Sequence, residues 1–365
     1  MGRAAKERLN RALSEHLNTI HETFQVLDQT PASSLTKVSW NEVIQLGEQL
    51  SKQATTVGML WTGETPEIKA LEENMAAYFN TLQGFLLLSH GSIVGAGPTL
   101  SSCIHASVKQ VVDCSFMLFK ECVASYGSRI KDGKLSIPQL VGTIWDACSA
   151  LKKTPATNIT AIGRAMTQVA VSMKDVLREM KELKPASDPA DETCYQASVK
   201  AEKSPHDSDD SCEEDDLGND LSPEEMKIAQ LAMVVVSEML VLIKELIRSI
   251  TGLLKQENLD NSSDSVNALE RLLKLCQEIG EQVDELGACL YPPQEAPVMK
   301  AASEKISSIV DEMQVDVENL NGSSEAFFQA CIALMNSLEQ FKTEVESSSP
   351  ADDLIPKIQN LDVNN

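Results

Sequence analysis

The sequence predicts an all-α protein in which two antiparallel helical bundles are joined by a disordered acidic linker. Three observations predict it. Hydrophobic residues make up 42% of the 365 residues but aromatic residues only 4%, so the cores must be built from aliphatic side chains rather than from the aromatic and β-branched ones that favour strands. Those aliphatic residues recur every three or four positions through most of the chain, the repeat of a helix face. From Pro185 to Leu221 the repeat stops, in a tract holding 12 acidic residues against Lys200 and Lys203. Such a tract cannot bury enough apolar surface to offset its chain entropy.

In chain order, residues 1–184 hold about six helices. The first carries Leu9, Leu13, Leu17, Ile20, Phe24 and Leu27 on one face, with a charged face opposite. A second runs from about Val38 to Trp61 through Val43, Ile44, Leu50, Ala54 and Val57. Thr65-Pro66-Glu67 reads as an N-cap followed by proline at the first helical position. It opens a third helix to about Ser89, with Leu71, Met75, Tyr78, Leu82 and Phe85 inward. After a glycine-rich turn, Gly91 to Pro98, comes a helix bearing Ile104, Val108, Val111, Phe116, Phe119 and Val123, then shorter patterns from near Ile137 and Asn158.

Beyond the linker, residues 222–346 give four long patterns, at about 222–257, 263–290, 296–320 and 324–346, as a four-helix bundle requires. Ser222-Pro223-Glu224-Glu225 has the form of a capping box at the start of the first. The second carries a heptad seam, Leu269, Leu272, Cys276, Ile279, Val283, Leu286 and Leu290, which packs within a bundle or pairs between chains. Residues 347–365 read as a loose tail in which Leu354, Ile355, Ile358 and Leu361 could form a short docking helix. Trp40, Trp61 and Trp145 are expected in cores or at bundle ends. Tyr291-Pro292-Pro293 reads either as a surface recognition loop or, as expected here, as a helix stop with the tyrosine ring packed on the bundle end.

The formal charge of -23 excludes the clustered cations that a nucleic-acid surface needs. The first residues show no apolar signal region, and Lys6 stands where a myristoylation motif wants Ser or Thr. The stretch Ile228 to Ile243 contains Gln230 and Glu238 and falls short of the ~20 residues of a span, so no membrane insertion is expected. Nine cysteines lie singly, a pattern of reduced thiols, and the sequons at Asn158, Asn261 and Asn321 are chance matches. None of the five histidines follows a glutamate by three, and the nucleotide-binding and nucleophile-elbow motifs are missing. No catalytic, metal-binding or cofactor-binding residue is therefore expected. The Gly91 to Pro98 segment lacks the preceding strand and terminal lysine of a phosphate cradle and reads as a turn; His105, just beyond it, reads as a polar-face or core histidine. The acidic tract supplies the candidate modification sites Ser204, Ser208 and Ser211. Ser204 precedes Pro205, and Ser211 stands three residues before Glu214. Phosphorylation there would deepen the charge of a solvated tether.

Four features occur in one order: the Trp40-to-Trp61 helix containing Leu50-Ser-Lys-Gln-Ala-Thr-Thr56, the stretch Val141-Gly-Thr-Ile-Trp145-Asp-Ala-Cys148, the acidic interruption, and Leu290-Tyr291-Pro292-Pro293. Together they resemble the cyclin-D-binding (cyclin-D-interacting) protein family, over roughly Leu35 to Val345. The amphipathic start of this chain departs from the Pro/Ala-rich start associated with that family. The resemblance implies a vinculin/talin-like pair of bundles and a non-enzymatic adaptor. It further implies binding of D-type cyclins and helix–loop–helix transcription regulators, and restraint of the cell cycle by sequestration in cytoplasm and nucleus. The alternative is a cytoskeleton-associated helical-bundle protein of vinculin-like type.

Overall fold

The computed structural model describes residues 2–29, 36–62, 67–127, 131–185, 221–253, 263–320 and 324–348. They form ten α-helices: α1 (Gly2–Gln29), α2 (Trp40–Thr62), α3 (Ile68–Ser92), α4 (Pro98–Ser125), α5 (Lys131–Ala150), α6 (Asn158–Met180), α7 (Pro223–Leu253), α8 (Ser263–Cys289), α9 (Ala296–Asn319) and α10 (Glu325–Ser348). Among the described residues the only β-structure is an isolated bridge between Pro185 and Leu221. The all-helical class is as the sequence predicts, and each of the ten helices expected before residue 347 is present; the short docking helix at Leu354, Ile355, Ile358 and Leu361 lies outside the described residues. Two starts differ. α3 begins at Ile68, with Glu67 in extended backbone as its N-cap, and Pro66 lies outside the described residues. α5 begins ahead of the Ile137 pattern and takes Pro138 into its body.

The chain divides into two compact units, residues 1–163 with 254–270, and residues 164–253 with 271–365. The division expected from the sequence, at Lys184 and Ser222, follows the composition break. The observed one follows backbone proximity and falls within α6, at the end of α7 and within α8.

In the first unit α1 packs on α3 and α4, α2 on α3 and α5, and α4 on α5. Leu50, Val57, Leu71, Leu82, Val111, Leu118 and Ile144 are wholly buried among these helices. At the centre Phe119 meets Tyr78 edge-on at 4.9 Å and Phe79 at 5.0 Å between ring centroids, the offset geometry that ring quadrupoles favour. The hydroxyl of Ser115 donates to the carbonyl of Val111 at 2.7 Å, so the Tyr78 hydroxyl, 2.8 Å from Ser115 Oγ, is the donor of that pair. Burial pushes the Tyr78 phenol well above its ordinary range. Trp40 and Trp61 are buried as expected, and Trp40 Nε1 donates to the Leu151 carbonyl at 3.0 Å.

Trp145 corrects the expectation. It is 45% exposed, with Nε1 donating to Thr55 Oγ1 on α2 at 3.1 Å. The inward face of α5 is set by Ile137, Val141, Ile144 and Cys148, and position 145 falls on its flank.

In the second unit α10 packs on α7 and on α9. Arg271 of α8 grips Asp316 of α9 through Nε at 3.1 Å and Nη2 at 2.7 Å. The remainder of α6 lies against α8 where α8 has no side chain. A Cβ on Gly280 would stand 3.1 Å from Val169 Cγ1, and one on Gly287 2.8 Å from Val176 Cγ1. The capping box opens α7 as written in the sequence: Ser222 N donates to Glu225 Oε2 at 2.9 Å and Glu225 N to Ser222 Oγ at 3.2 Å. By length and apolarity α7 could cross a membrane. Here Val235, Val236, Met239, Leu242, Ile243 and Leu246 are wholly buried in the unit's core.

Both ends of the acidic tract belong to this unit, where Leu221 N donates to the Lys184 carbonyl at 3.0 Å. α8 stops at Cys289, just before Tyr291-Pro292-Pro293 as expected, and the Tyr291 ring, 43% exposed, borders a hollow lined by Val176, Met180 and Ala288.

Candidate interaction surface

Among the described residues of the first unit, an open apolar groove lies between α1 and α4. Phe24 of α1 and Ala106, Val112 and Phe116 of α4 line a groove of about 540 Å³, with His21, His105 and Lys109 among its polar lining. It continues past Phe24 and His105 into a cleft of about 60 Å³ formed with Leu86, Ile93 and Val108. The groove exists because α1 turns a narrower apolar stripe inward than its neighbours do. Leu9, Leu13 and Ile20 are buried, whereas Leu17, Phe24 and Leu27 only partly meet the core.

Polar contacts complete the seat of α1. Arg8 makes a two-pronged ion pair with Glu72 of α3, at 2.5 and 2.6 Å, which raises the guanidinium pKa. Gln83 Nε2 of α3 donates to Thr23 Oγ1 at 3.0 Å. His16 stacks flat on Phe79, ring centroids 5.1 Å apart. Burial lowers the His16 pKa and the neighbouring Glu15 opposes that shift.

The glycine-rich segment is a turn, as expected, and the structure shows what fills its amide groups. Gly97 N donates to Asn158 Oδ1 at 2.7 Å, and Asn158 Nδ2 returns a bond to the Gly95 carbonyl at 2.9 Å. Gly95 has φ +76°, the left-handed conformation that glycine adopts without strain. Glu270 supplies the anion that a helix N-terminus attracts. One oxygen accepts from Thr99 N at 3.0 Å and the other from Thr99 Oγ1 at 2.7 Å. A protein carboxylate thus stands where a phosphate would have to bind. His105 is exposed, on the polar face of α4.

All seven seam residues, Leu269, Leu272, Cys276, Ile279, Val283, Leu286 and Leu290, are buried within the single chain. They hold a bundle together and present no free stripe to another chain. Ser204, Ser208 and Ser211 lie outside the described residues. Burial pushes the Cys148 and Cys276 thiols up to about 12, so at neutral pH both are protonated core side chains and poor nucleophiles. Among the described residues no three His, Cys, Asp or Glu side chains gather to hold a metal ion. Sequence reasoning missed the α1–α4 groove, the Asn158 and Glu270 clamp, and the valine–glycine contacts of α6 on α8. Only the last had a readable signal, since Gly280 and Gly287 are seven residues apart, as are Val169 and Val176.

Residues 42–186 match the family model described as Grap2 and cyclin-D-interacting, N-terminal, and residues 206–315 match its C-terminal counterpart. Cyclin-D1-binding protein 1 homolog from Xenopus laevis is 22% identical over 219 residues. That alignment covers 59% of this chain and 59% of the relative, so the chain spans less than two thirds of the relative it matches.

Proposed function

Because the chain belongs to the Grap2 and cyclin-D-interacting family, we propose that it is a non-enzymatic adaptor that binds D-type cyclins and helix–loop–helix transcription regulators. On this reading it modulates cell-cycle progression by sequestering them, in cytoplasm and nucleus. The relative's name states a cyclin-D1-binding role for that protein.

The observation that carries the reading is the groove of about 540 Å³ between α1 and α4. It has the apolar walls and polar rim that accept one face of an amphipathic helix. A helix–loop–helix regulator held there would be withdrawn from its own dimer. The acidic tract adds a control point: phosphates on Ser204, Ser208 and Ser211 would add charge to a tract already carrying 12 acidic residues.

Titration calorimetry of the purified chain with a D-type cyclin, and separately with a helix–loop–helix domain, tests the proposal. Saturable binding is expected, weakened about tenfold, or roughly 1.4 kcal/mol, by joint His105→Glu and Lys109→Glu replacement of exposed groove residues. No binding of either partner at high micromolar concentration would refute it.

A further inference from the structure

α1 and α4 are the same length, 28 residues each, yet they are held very differently. α4 buries twelve side chains, whereas among the described residues of α1 only Ala5, Leu9, Leu13, Ile20 and Thr23 are buried. The second half of α1 borders open volume where α4 should meet it: Phe24 is a wall of the 540 Å³ groove rather than a plug in it. The Arg8–Glu72 pair, two-pronged and with its glutamate 21% exposed, has its arginine side chain 62% exposed, so salt reaches it from one side. α3 and α4, which form its seat, lie within residues 42–186 that match the family model, while α1 lies before them.

We propose that α1 is an in-cis occupant of a helix-docking site formed by α3 and α4, and that the site takes a partner's amphipathic helix once α1 swings out. The inference rests on the adaptor reading and deepens it: the α4 wall of the groove, together with α3, becomes the partner's seat once α1 has left it. The occupant it commits to is a helix of a different protein that presents apolar side chains at the spacing of Leu9, Leu13, Leu17, Ile20, Phe24 and Leu27. The argument for that occupant is the present one. A helix of this pattern already sits there, fully buried at fewer than one residue per turn on one side and solvated on the other. Displacement exchanges one set of apolar contacts for a similar set. The sequestered state therefore costs the protein little more than release of α1, and a partner with a broader apolar stripe outcompetes it.

The site itself is tested without any partner. The full chain carrying Leu9→Asp and Leu13→Asp, which loosens α1 in place, is titrated with a fluorescent synthetic peptide of residues 3–29, and the unaltered chain is titrated alongside. The variant should bind the peptide at least tenfold more tightly than the unaltered chain does, and a peptide carrying the same two aspartates should not bind. In hydrogen exchange on the unaltered chain, α1 amides should exchange faster than those of α3 and α4.

Equal protection of α1, α3 and α4, or loss of cooperative melting in the variant, would make α1 an integral core helix and overturn the proposal. So would failure of a folded variant to bind the peptide. A dimer of the unaltered chain that exchanges α1 between copies would also overturn it, by making a second copy the occupant. Peptide binding without capture of a cyclin or a helix–loop–helix domain would keep the docking site and remove the partner class, so the two readings fail separately.

Discussion

Two side chains of the first unit carry testable weight by themselves. Tyr78 donates its hydroxyl proton to Ser115 inside the core, and Ser115 keeps its own bond to Val111 when that donor is lost. Tyr78→Phe therefore strands no donor and should cost only about 1 kcal/mol. Urea denaturation would show a lower midpoint at unchanged slope; a loss beyond about 3 kcal/mol would mean that the hydroxyl supports more than this one bond. His16 acts through pH. Its folded pKa lies below the ordinary 6.5, because burial against Phe79 disfavours the cation more than Glu15 favours it. Well above pH 6.5 the ring is neutral in both folded and unfolded chains and contributes no pH dependence. As pH falls through that value, the unfolded chain takes up a proton that the folded chain resists, and stability declines. Carboxylates add their own dependence on acid, so the informative quantity is a difference. Between pH 7 and 5.5 the Tm of the unaltered chain should fall more than that of His16→Gln, and equal falls would deny His16 this part.

At the scale of elements, the sharpest local fit is α6 on α8. Gly287 admits Val176 so closely that an added methyl group would stand 2.8 Å from Cγ1. Gly287→Ala should therefore destabilise by about 1–3 kcal/mol through overpacking, even though alanine is the better helix former by about 1 kcal/mol. Adding Val176→Ala removes the clashing methyls and should return much of the loss, a coupling that a double-mutant cycle of melting curves would measure. Simple additivity would contradict the fit.

How much of this was legible follows from what each feature depends on. The helices were readable because aliphatic residues at three- and four-residue steps have one low-energy solution, and the Ser222 and Glu225 box because its two bonds are local. The seam from Leu269 to Leu290 was readable as a buried stripe, but sequence left open whether its partner was in the same chain. Trp145 was misplaced because hydrophobicity does not say which flank of a helix a neighbouring helix covers. The Asn158 and Glu270 clamp joins residues far apart in the chain to the glycine turn, and no local spacing encodes it. The groove was hidden for the same reason, being made by what α1 fails to fill.

At the scale of the molecule, composition and packing divide the chain in different places. The acidic tract invites a cut between Lys184 and Ser222, yet each unit draws residues from both sides of it. A fragment of residues 1–184 would lack Glu270 at the start of α4, losing charge-assisted bonds worth about 1.5–3 kcal/mol. A fragment of residues 222–365 would lack Val169 and Val176, leaving the notches at Gly280 and Gly287 empty. Cutting the intact chain between Pro185 and Leu221 leaves in place the bond from Leu221 N to the Lys184 carbonyl. The two pieces should then stay together on size exclusion and melt close to the uncut protein, because the surfaces that unite them are buried ones. Prepared separately, each should melt at a lower temperature than the cut chain, and mixing should restore part of the difference. Two fragments that melt cooperatively and independently at the temperature of the intact chain would instead show that composition, not packing, marks the folding units.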